Sequence, residues 1–362
     1  MVIKGTTRLL GVIGHPVEHS FSPLMHNAAI AHLQQNSGSH QPDYAYLPFP
    51  IRPEKLKEAI AGFEAIDLHG FNITIPHKQA IIPLLDDVSE VAKAIGAVNT
   101  VWRDKDGWHG TNTDAYGFLA PLKALSDASL TGSLNGSPTN ALAGSLSASL
   151  AGPKDWSNAR ALILGNGGAA RAVVAACQQL GCARISVVGR SPDKLAYFAE
   201  SWAHAPHIAS RLKVMTWDEL PTQLPKTDLI VNATPLGMHP KTDVSPLSEA
   251  EIEMLKPGAI AYDLIYTPRP TKFLQQATAA GFLAIDGLEM LVQQGAAALE
   301  IWLAQPAPVD IMRQTLLDYL SQSRGQSSKK LLQAKPRKAK SNYHRKNQPP
   351  MLSSLRNKAF SG

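Results

Sequence analysis

Apolar positions along the chain fall into two alternating patterns. Residues 8–14 (RLLGVIG) form a short, nearly continuous apolar run, as a buried strand does, and residues 44–48 alternate with period two. Between them, Ser22-Pro23 suits a helix start, with Ser22 as cap and Pro23 at the first helical position, followed by a helix over 24–33. Residues 53–63 read as an amphipathic helix and 70–75 as a strand ending in Pro76-His77-Lys78. Residues 80–85 and 89–95 read as helical. Residues 98–102 and 108–110 form a hairpin across Asp104-Lys105-Asp106-Gly107, and Thr111-Asn112-Thr113-Asp114 follows at its end. A second series begins after residue 160. It has strands over 161–164, 183–188, 213–216, 228–232, 259–263 and 282–285, and helices over 169–180, 286–303 and 309–320. Strands alternating with helices predict an α/β protein with mainly parallel sheets.

Two stretches break the pattern. Residues 128–153 contain no charged side chain and repeat Leu-Ser, Gly and Ala, which reads as a low-complexity insert, with a short extra helix as the competing reading. Residues 323–362 are polar and basic, and are expected to be a disordered tail. That tail changes the meaning of the net charge of +6: residues 325–362 hold ten Lys and Arg and no acid, leaving 25 basic against 29 acidic residues in the rest. The folded part is therefore mildly acidic. A nucleic-acid partner is not expected, except through the tail. Two cysteines are too few for a disulfide framework, no apolar run is long enough to span a membrane, and the N-terminus lacks a signal-peptide layout, so a cytoplasmic location is expected.

The chemistry centres on residues 161–176, ALILGNGGAARAVVAA. An apolar strand runs into Gly165-Asn166-Gly167-Gly168-Ala169-Ala170, which fits G-x-G-x-x-A, and then into a helix. Such a turn lets a pyrophosphate approach backbone N–H groups at a helix N-terminus, so a dinucleotide site is predicted. The residue about twenty positions on normally selects the ribose. An acid there reads a free 2′-hydroxyl, but this chain has Arg190, then Ser191, with Lys194 one turn later, which suits the 2′-phosphate of NADP. In the first half, small polar residues gather at element ends: Ser20 and Ser22, Asn72 and Thr74, Lys78, Asn99 and Asp114. Each alone reads as a cap or turn residue. Together they point at a ligand crevice.

Seven ordered stretches carry a resemblance: Ser20–Asn27 (SFSPLMHN), Asn72–Lys78 (NITIPHK), Gly96–Thr100 (GAVNT), Gly110–Asp114 (GTNTD), Asn232–Met238 (NATPLGM), Asp263–Pro268 (DLIYTP) and Asp286–Leu291 (DGLEML). They closely resemble the signatures of shikimate dehydrogenases, over about residues 8–320. The resemblance implies NADPH-dependent reduction of 3-dehydroshikimate to shikimate in aromatic amino acid biosynthesis. It implies that Ser20 and Ser22 hold the substrate carboxylate, that Thr74, Asn99 and Gln294 bind hydroxyls, that Tyr266 lines the same pocket, and that Lys78 and Asp114 are the catalytic pair. Gly189, Thr234, Leu264 and Gly287 fall to the cofactor by the same likeness, although Gly189 stands where the family usually has Asn. The expected architecture is two α/β domains. An N-terminal substrate domain, residues 1–114, is completed by 287–322, and a doubly wound Rossmann-type NADP-binding domain spans 115–286. No metal is expected, and the protein is expected as a monomer or homodimer. Two other readings stay open: a quinate/shikimate dehydrogenase using NAD(P), and a non-catalytic NADP-binding regulatory protein.

Overall fold

The computed structural model describes residues 3–36, 43–131 and 155–333. Its first strand, β1 (Arg8–Gly14), is covered on both faces, so Leu10, Val12 and Ile13 are buried and the apolar run is explained. β2 (Tyr44–Pro50) and β3 (Gly70–Ile73) pair with β1 in parallel, one on each side. Next come the short β4 (Asp87–Val88) and the hairpin β5 (Thr100–Asp104) and β6 (Gly107–Thr111), in the order β2-β1-β3-β5-β6-β4. The hairpin turns between Asp104 and Gly107, where Gly107 adopts φ +115°, a conformation costly for a residue with a side chain. Parallel pairs predominate, and only β3–β5 and β5–β6 run antiparallel.

Helices α1 (Ser22–Asn36), α2 (Leu56–Ala65) and α3 (Glu90–Ile95) flank this sheet. Ser89 caps α3 by accepting from the Ala92 amide, and Gly96 ends it in the left-handed conformation at φ +67°. Ser22 is the first residue of α1 rather than the cap before it. Residues 80–85, expected as helix, instead form turns and one 3₁₀ turn at Ile82–Leu84. Pro83 removes an amide donor there, and the chain must swing outward to deliver β4 to β6.

The second sheet is wholly parallel. β7 (Arg160–Leu164), β8 (Arg184–Gly189), β9 (Leu212–Thr216), β10 (Leu229–Asn232), β11 (Ile260–Asp263) and β12 (Leu283–Ile285) lie in the order β12-β11-β10-β7-β8-β9. This is the doubly wound arrangement, with the switch point between β7 and β10. α5 (Gly168–Gln179), α6 (Pro192–Glu200), α7 (Pro206–Ala209), α8 (Glu249–Glu253) and α9 (Lys272–Ala279) connect its strands.

Two helices join the sheets. α4 (Asp114–Thr131), which the sequence pattern did not reveal, carries Pro121 in its interior and packs along α10 (Leu288–Leu303). Phe118 of α4 stacks on Tyr262 of β11 with ring centroids 4.7 Å apart, within a core that also takes in Ile95, Val173 and Ile163. α10 returns to the first sheet, where the Trp302 indole N–H donates to the Val101 carbonyl at 2.9 Å. Both sheets lie in one compact unit that ends at Asp318. α11 (Val309–Gln333) runs past residue 323, where order was expected to end. Residues 132–154, most of the uncharged insert, and 334–362 lie outside the described residues.

Candidate active site

β7 hands the chain to Gly165 at φ +104°, whose amide donates to the Val188 carbonyl at 2.8 Å. A Cβ at Gly165 would sit 3.0 Å from the Ala233 carbonyl oxygen and 3.1 Å from Thr234 Cγ2, so the tight turn and the close approach of β10 both require glycine. Gly167 caps α5 without a side-chain bond, and open space lies where its Cβ would be. Ala170 is buried against the sheet. The first-turn amides of α5 are thus left for an external acceptor, and no acidic side chain stands in that turn to repel an anion. Gly168 faces the other sheet's loop: a Cβ there would be 3.7 Å from Lys78 Cδ.

Around this turn the ends of β8, β10 and β11 supply the expected cofactor residues. Arg190 and Lys194 are exposed, while Ser191 caps α6 by accepting from the Lys194 amide at 3.4 Å. A Cβ at Gly189 would lie 2.8 Å from Leu195 Cδ2 and 3.3 Å from Asn166 Cγ. A side chain at this position would have to displace the end of the buried Leu195. Thr234 donates its hydroxyl to Asn232 Oδ1 at 2.7 Å. Asn232 in turn donates to Asp263, which also accepts from Thr271 and from the Ile265 amide. Burial nonetheless pushes the Asp263 carboxyl up to about 6. A Cβ on Gly287 would collide with the Leu264 carbonyl, so this glycine lets α10 start against the end of β11. Arg269 pairs with Asp286 beside it.

The facing wall is built from five separate elements. After β3 the chain passes Thr74, whose amide donates to Ile13 at 2.9 Å, and reaches Lys78. The Lys78 ammonium donates to Asp114 Oδ2 at 2.5 Å, with side-chain exposures of 16 % and 7 %. Asp114 Oδ1 accepts from Asn99 Nδ2 at 2.9 Å, and the same amide lies 3.2 Å from Gln294 Oε1 on α10. The Thr113 amide donates to Asn99 Oδ1 at 2.7 Å, which fixes the orientation of the Asn99 amide. Behind this group, the Tyr46 hydroxyl donates to Asn72 Oδ1 at 2.8 Å, and Asn72 Nδ2 donates to the Asn99 carbonyl and to Thr100 Oγ1, both at 3.1 Å.

Ser20 and Ser22 form a second group at the start of α1, with the Ser22 amide donating to Ser20 Oγ at 3.3 Å. Beneath them the His26 ring nitrogens meet the Ser22 and Gly295 carbonyls, and burial drives the imidazole down to about 4. Tyr266, from the end of β11, reaches this loop: its ring lies 5.3 Å from Phe21 and its hydroxyl 3.5 Å from the His19 carbonyl.

Family models match successive stretches of the chain. Residues 12–101 match the shikimate dehydrogenase substrate binding domain, 146–261 the shikimate / quinate 5-dehydrogenase domain, and 287–317 the shikimate 5′-dehydrogenase C-terminal domain. A shikimate dehydrogenase (NADP(+)) from Gloeothece citriformis is 53% identical over 320 residues, covering 88% of this chain and 99% of that protein. The chain belongs to the shikimate dehydrogenase family. Solved structures agree: the shikimate dehydrogenase of Aquifex aeolicus superposes with a TM-score of 0.68 at 33% identity, covering 87% of this chain and 99% of that one. Shikimate 5-dehydrogenase from Listeria monocytogenes, solved with shikimate and NAD, gives 0.68 at 32%, covering 87% and 98%.

As expected of this family, the molecule is a two-domain α/β oxidoreductase with a Rossmann-type NADP-binding half. Lys78, Asp114, Asn99 and Gln294 are bonded to one another, Ser20 is bonded to Ser22, and Tyr266 stands at their loop. Thr74 makes its described bond through its backbone. The residues behind the pair, Tyr46, Thr100 and Thr113, were given no role from the sequence, whereas Asn72 was grouped with the small polar residues of the crevice. Among the described residues no cluster of three His, Cys, Asp or Glu could hold a metal ion, and no helix is long and apolar enough to cross a membrane.

Proposed function

We propose that the chain catalyses reversible, NADPH-dependent reduction of 3-dehydroshikimate to shikimate, with its own residues in the roles the family likeness assigns. The observation that carries this reading is the Lys78–Asp114 pair at 2.5 Å, built directly against the N-terminal turn of α5. The glycine turn is open where a pyrophosphate would lie, so the residues present fit the cofactor. NADPH, when bound, supplies the hydride. Lys78 supplies the proton to the carbonyl oxygen as charge develops there, and its ammonium stabilises that charge. Asp114 aims the ammonium and accepts from a neighbouring ring hydroxyl. Asn99, held by Thr113, and Gln294 fix the other hydroxyls together with Thr74. Ser20 and Ser22 bind the carboxylate, and Tyr266 closes that end. Arg190 and Lys194 receive the 2′-phosphate, with Ser191 ordering their loop. Gly165 to Ala170 cradle the pyrophosphate, and Thr234, Leu264, Gly189 and Gly287 line the rest of the nucleotide groove.

On this reading the substrate domain is residues 1–114 completed by 287–322, with 115–286 as the NADP-binding domain. The protein acts in the cytoplasm as a monomer or homodimer. The test is steady-state kinetics at 340 nm with shikimate and quinate, each with NADP⁺ and NAD⁺. Shikimate with NADP⁺ is expected to give the highest kcat/KM. A preference for quinate or NAD⁺ supports the quinate/shikimate reading, and no turnover of any pair supports a non-catalytic NADP-binding protein.

A further inference from the structure

One buried side chain on α5 has no part in the chemistry above. Arg171 lies one turn inside the helix, its amide donating to the Gly167 carbonyl at 3.2 Å, and the residue is 3 % exposed. A guanidinium stays charged, and a charge taken out of water is costly unless its donors are satisfied. Among the described residues its partners are a carbonyl, a hydroxyl and two aromatic faces. Nε donates to the Ile95 carbonyl at 2.5 Å and Nη1 to Ser201 Oγ at 2.7 Å. Cζ stands 5.4 Å from the Phe198 ring and 5.0 Å from the Trp202 ring, within cation–π range.

These partners come from different halves of the chain. Phe198, Ser201 and Trp202 belong to α6 and the turn after it, in the nucleotide half. Ile95 is the last residue of α3, beside the first sheet. The carbonyl end of α3 is the negative end of its backbone dipoles, which favours a cation. A second contact reinforces the first, for the His204 ring lies 3.3 Å from the Ala94 carbonyl.

The segment held in this way leads straight into the catalytic wall. Gly96 follows Ile95, and a Cβ there would be 2.6 Å from Arg171 Nη2. The Ala97 carbonyl accepts from Asn112, the Val98 amide donates to the Lys78 carbonyl at 2.8 Å, and Asn99 holds Asp114. At the other end of Arg171, the same helix presents Gly168 to the Lys78 side chain. We propose that Arg171 is a positioning residue that registers the glycine-turn helix α5 against the Lys78–Asn99 wall, so that hydride and proton reach one carbonyl in one geometry. This rests on the shikimate dehydrogenase reading.

The test is single-turnover kinetics of the full chain at 340 nm, with NADP⁺ and shikimate saturating and the Kd of each measured separately. Arg171→Met is expected to slow hydride transfer on the order of 10²-fold, the scale of a ~1 Å misplacement. Both Kd values should move by less than about threefold, because neither ligand's own contacts are removed. Arg171→Lys keeps the charge but not the planar fork, and is expected to fall between parent and Arg171→Met. A structural residue would lower the amplitude, meaning the fraction of sites that turn over, and the Tm, but not the rate of the sites that remain. A parent-like rate in folded Arg171→Met, or a loss confined to amplitude, overturns the proposal. If Arg171→Met does not fold, Ser201→Ala decides. It removes one arm of the clamp and should slow the step by about threefold at full amplitude, the low end for one hydrogen bond; a parent rate there overturns the proposal. A parent chain that reduces no NADP⁺ with shikimate overturns the functional reading itself, and the inference with it.

Discussion

The two walls of the cleft are built on opposite plans. On the catalytic wall the side chains around the reacting pair hold one another: Lys78 is bonded to Asp114, Asp114 to Asn99, Asn99 to Thr113 and Asn72 to Tyr46. On the nucleotide wall, Arg190 and Lys194 stand exposed beside the Gly165 turn and the Ser191 cap, and the side-chain bonds lie deeper, among Thr234, Asn232 and Asp263. The difference follows from the two tasks. Proton transfer requires a fixed donor, and a side chain locked by buried bonds loses no further entropy when the substrate arrives. A phosphate can be captured by long side chains that settle on it, because charge matters more there than direction.

If the plans are as separate as they look, damage to each wall should show in a different kinetic constant. Lys78→Met should lower kcat on the order of 10³-fold, within the usual range for a general acid–base. NADP⁺ binding should be retained, as measured by titration of folded protein. Activity within tenfold of the parent would remove Lys78 from the chemistry. Asp114→Asn should lose activity too, with a larger share in the KM for shikimate. Adding it to Lys78→Met should cost little more, since the two act as a unit.

On the opposite wall, Arg190→Ala should weaken NADP⁺ by about 10- to 150-fold, the value of one charge-assisted hydrogen bond, and leave NAD⁺ nearly unchanged. Equal losses for both nucleotides would show that the arginine merely supports the loop.

The walls should also part in their response to acid. His26, held down to about 4 against an ordinary 6.5, lets the unfolded chain take up its proton first. Its contribution to stability is therefore present above pH 6.5 and lost as pH falls toward 4, by up to about 1.4 kcal/mol per unit. Asp263, raised to about 6 against an ordinary 3.8, acts in the reverse sense: the folded chain takes up its proton first, and its contribution grows as pH falls through 6. Asp263→Asn should therefore steepen the fall of Tm between pH 6 and 4, and His26→Gln should flatten it. Unchanged slopes in both would mean that neither group titrates in that window. The smallest effect is expected from deleting residues 334–362. All the residues placed in the site fall between Ser20 and Gln294, so kcat/KM should stay within about threefold, as for other changes remote from a site.

The sequence made the nucleotide wall the easier of the two to read. A strand, a glycine turn and a helix follow one another within sixteen residues, and Arg190 lies at the end of the next strand, so local order carries the site. Gly189 could be noticed as a departure, while its neighbour Leu195 meets it only after α6 has folded back. On the catalytic wall the individual signatures were legible while their contacts were not. Asn99 and Gln294 are nearly two hundred positions apart, and only the return of α10 brings them to 3.2 Å. α4 was missed because Pro121 interrupts its pattern and its end runs into the uncharged stretch. Residues 80–85 misled because five apolar side chains within six residues look helical, while Pro83 and the needs of β4 decide otherwise. Arg171 gave no local signal, since an arginine within a helix normally reaches water.

The late arrival of α10 also bears on how the protein is made. The first sheet relies on that helix: Trp302 bonds Val101, Gly70 lies against the same indole, and His26 meets the Gly295 carbonyl. All of the second sheet must leave the ribosome before α10 does, on the order of ten seconds or more at about 5–20 residues per second. Through that interval the nascent first half has its strands and their flanking helices but not the cover that α10 provides, leaving apolar surface open to passing chaperones and to its own neighbours on the polysome. The second half holds its whole sheet in one unbroken stretch and can begin to close while α10 is still being translated.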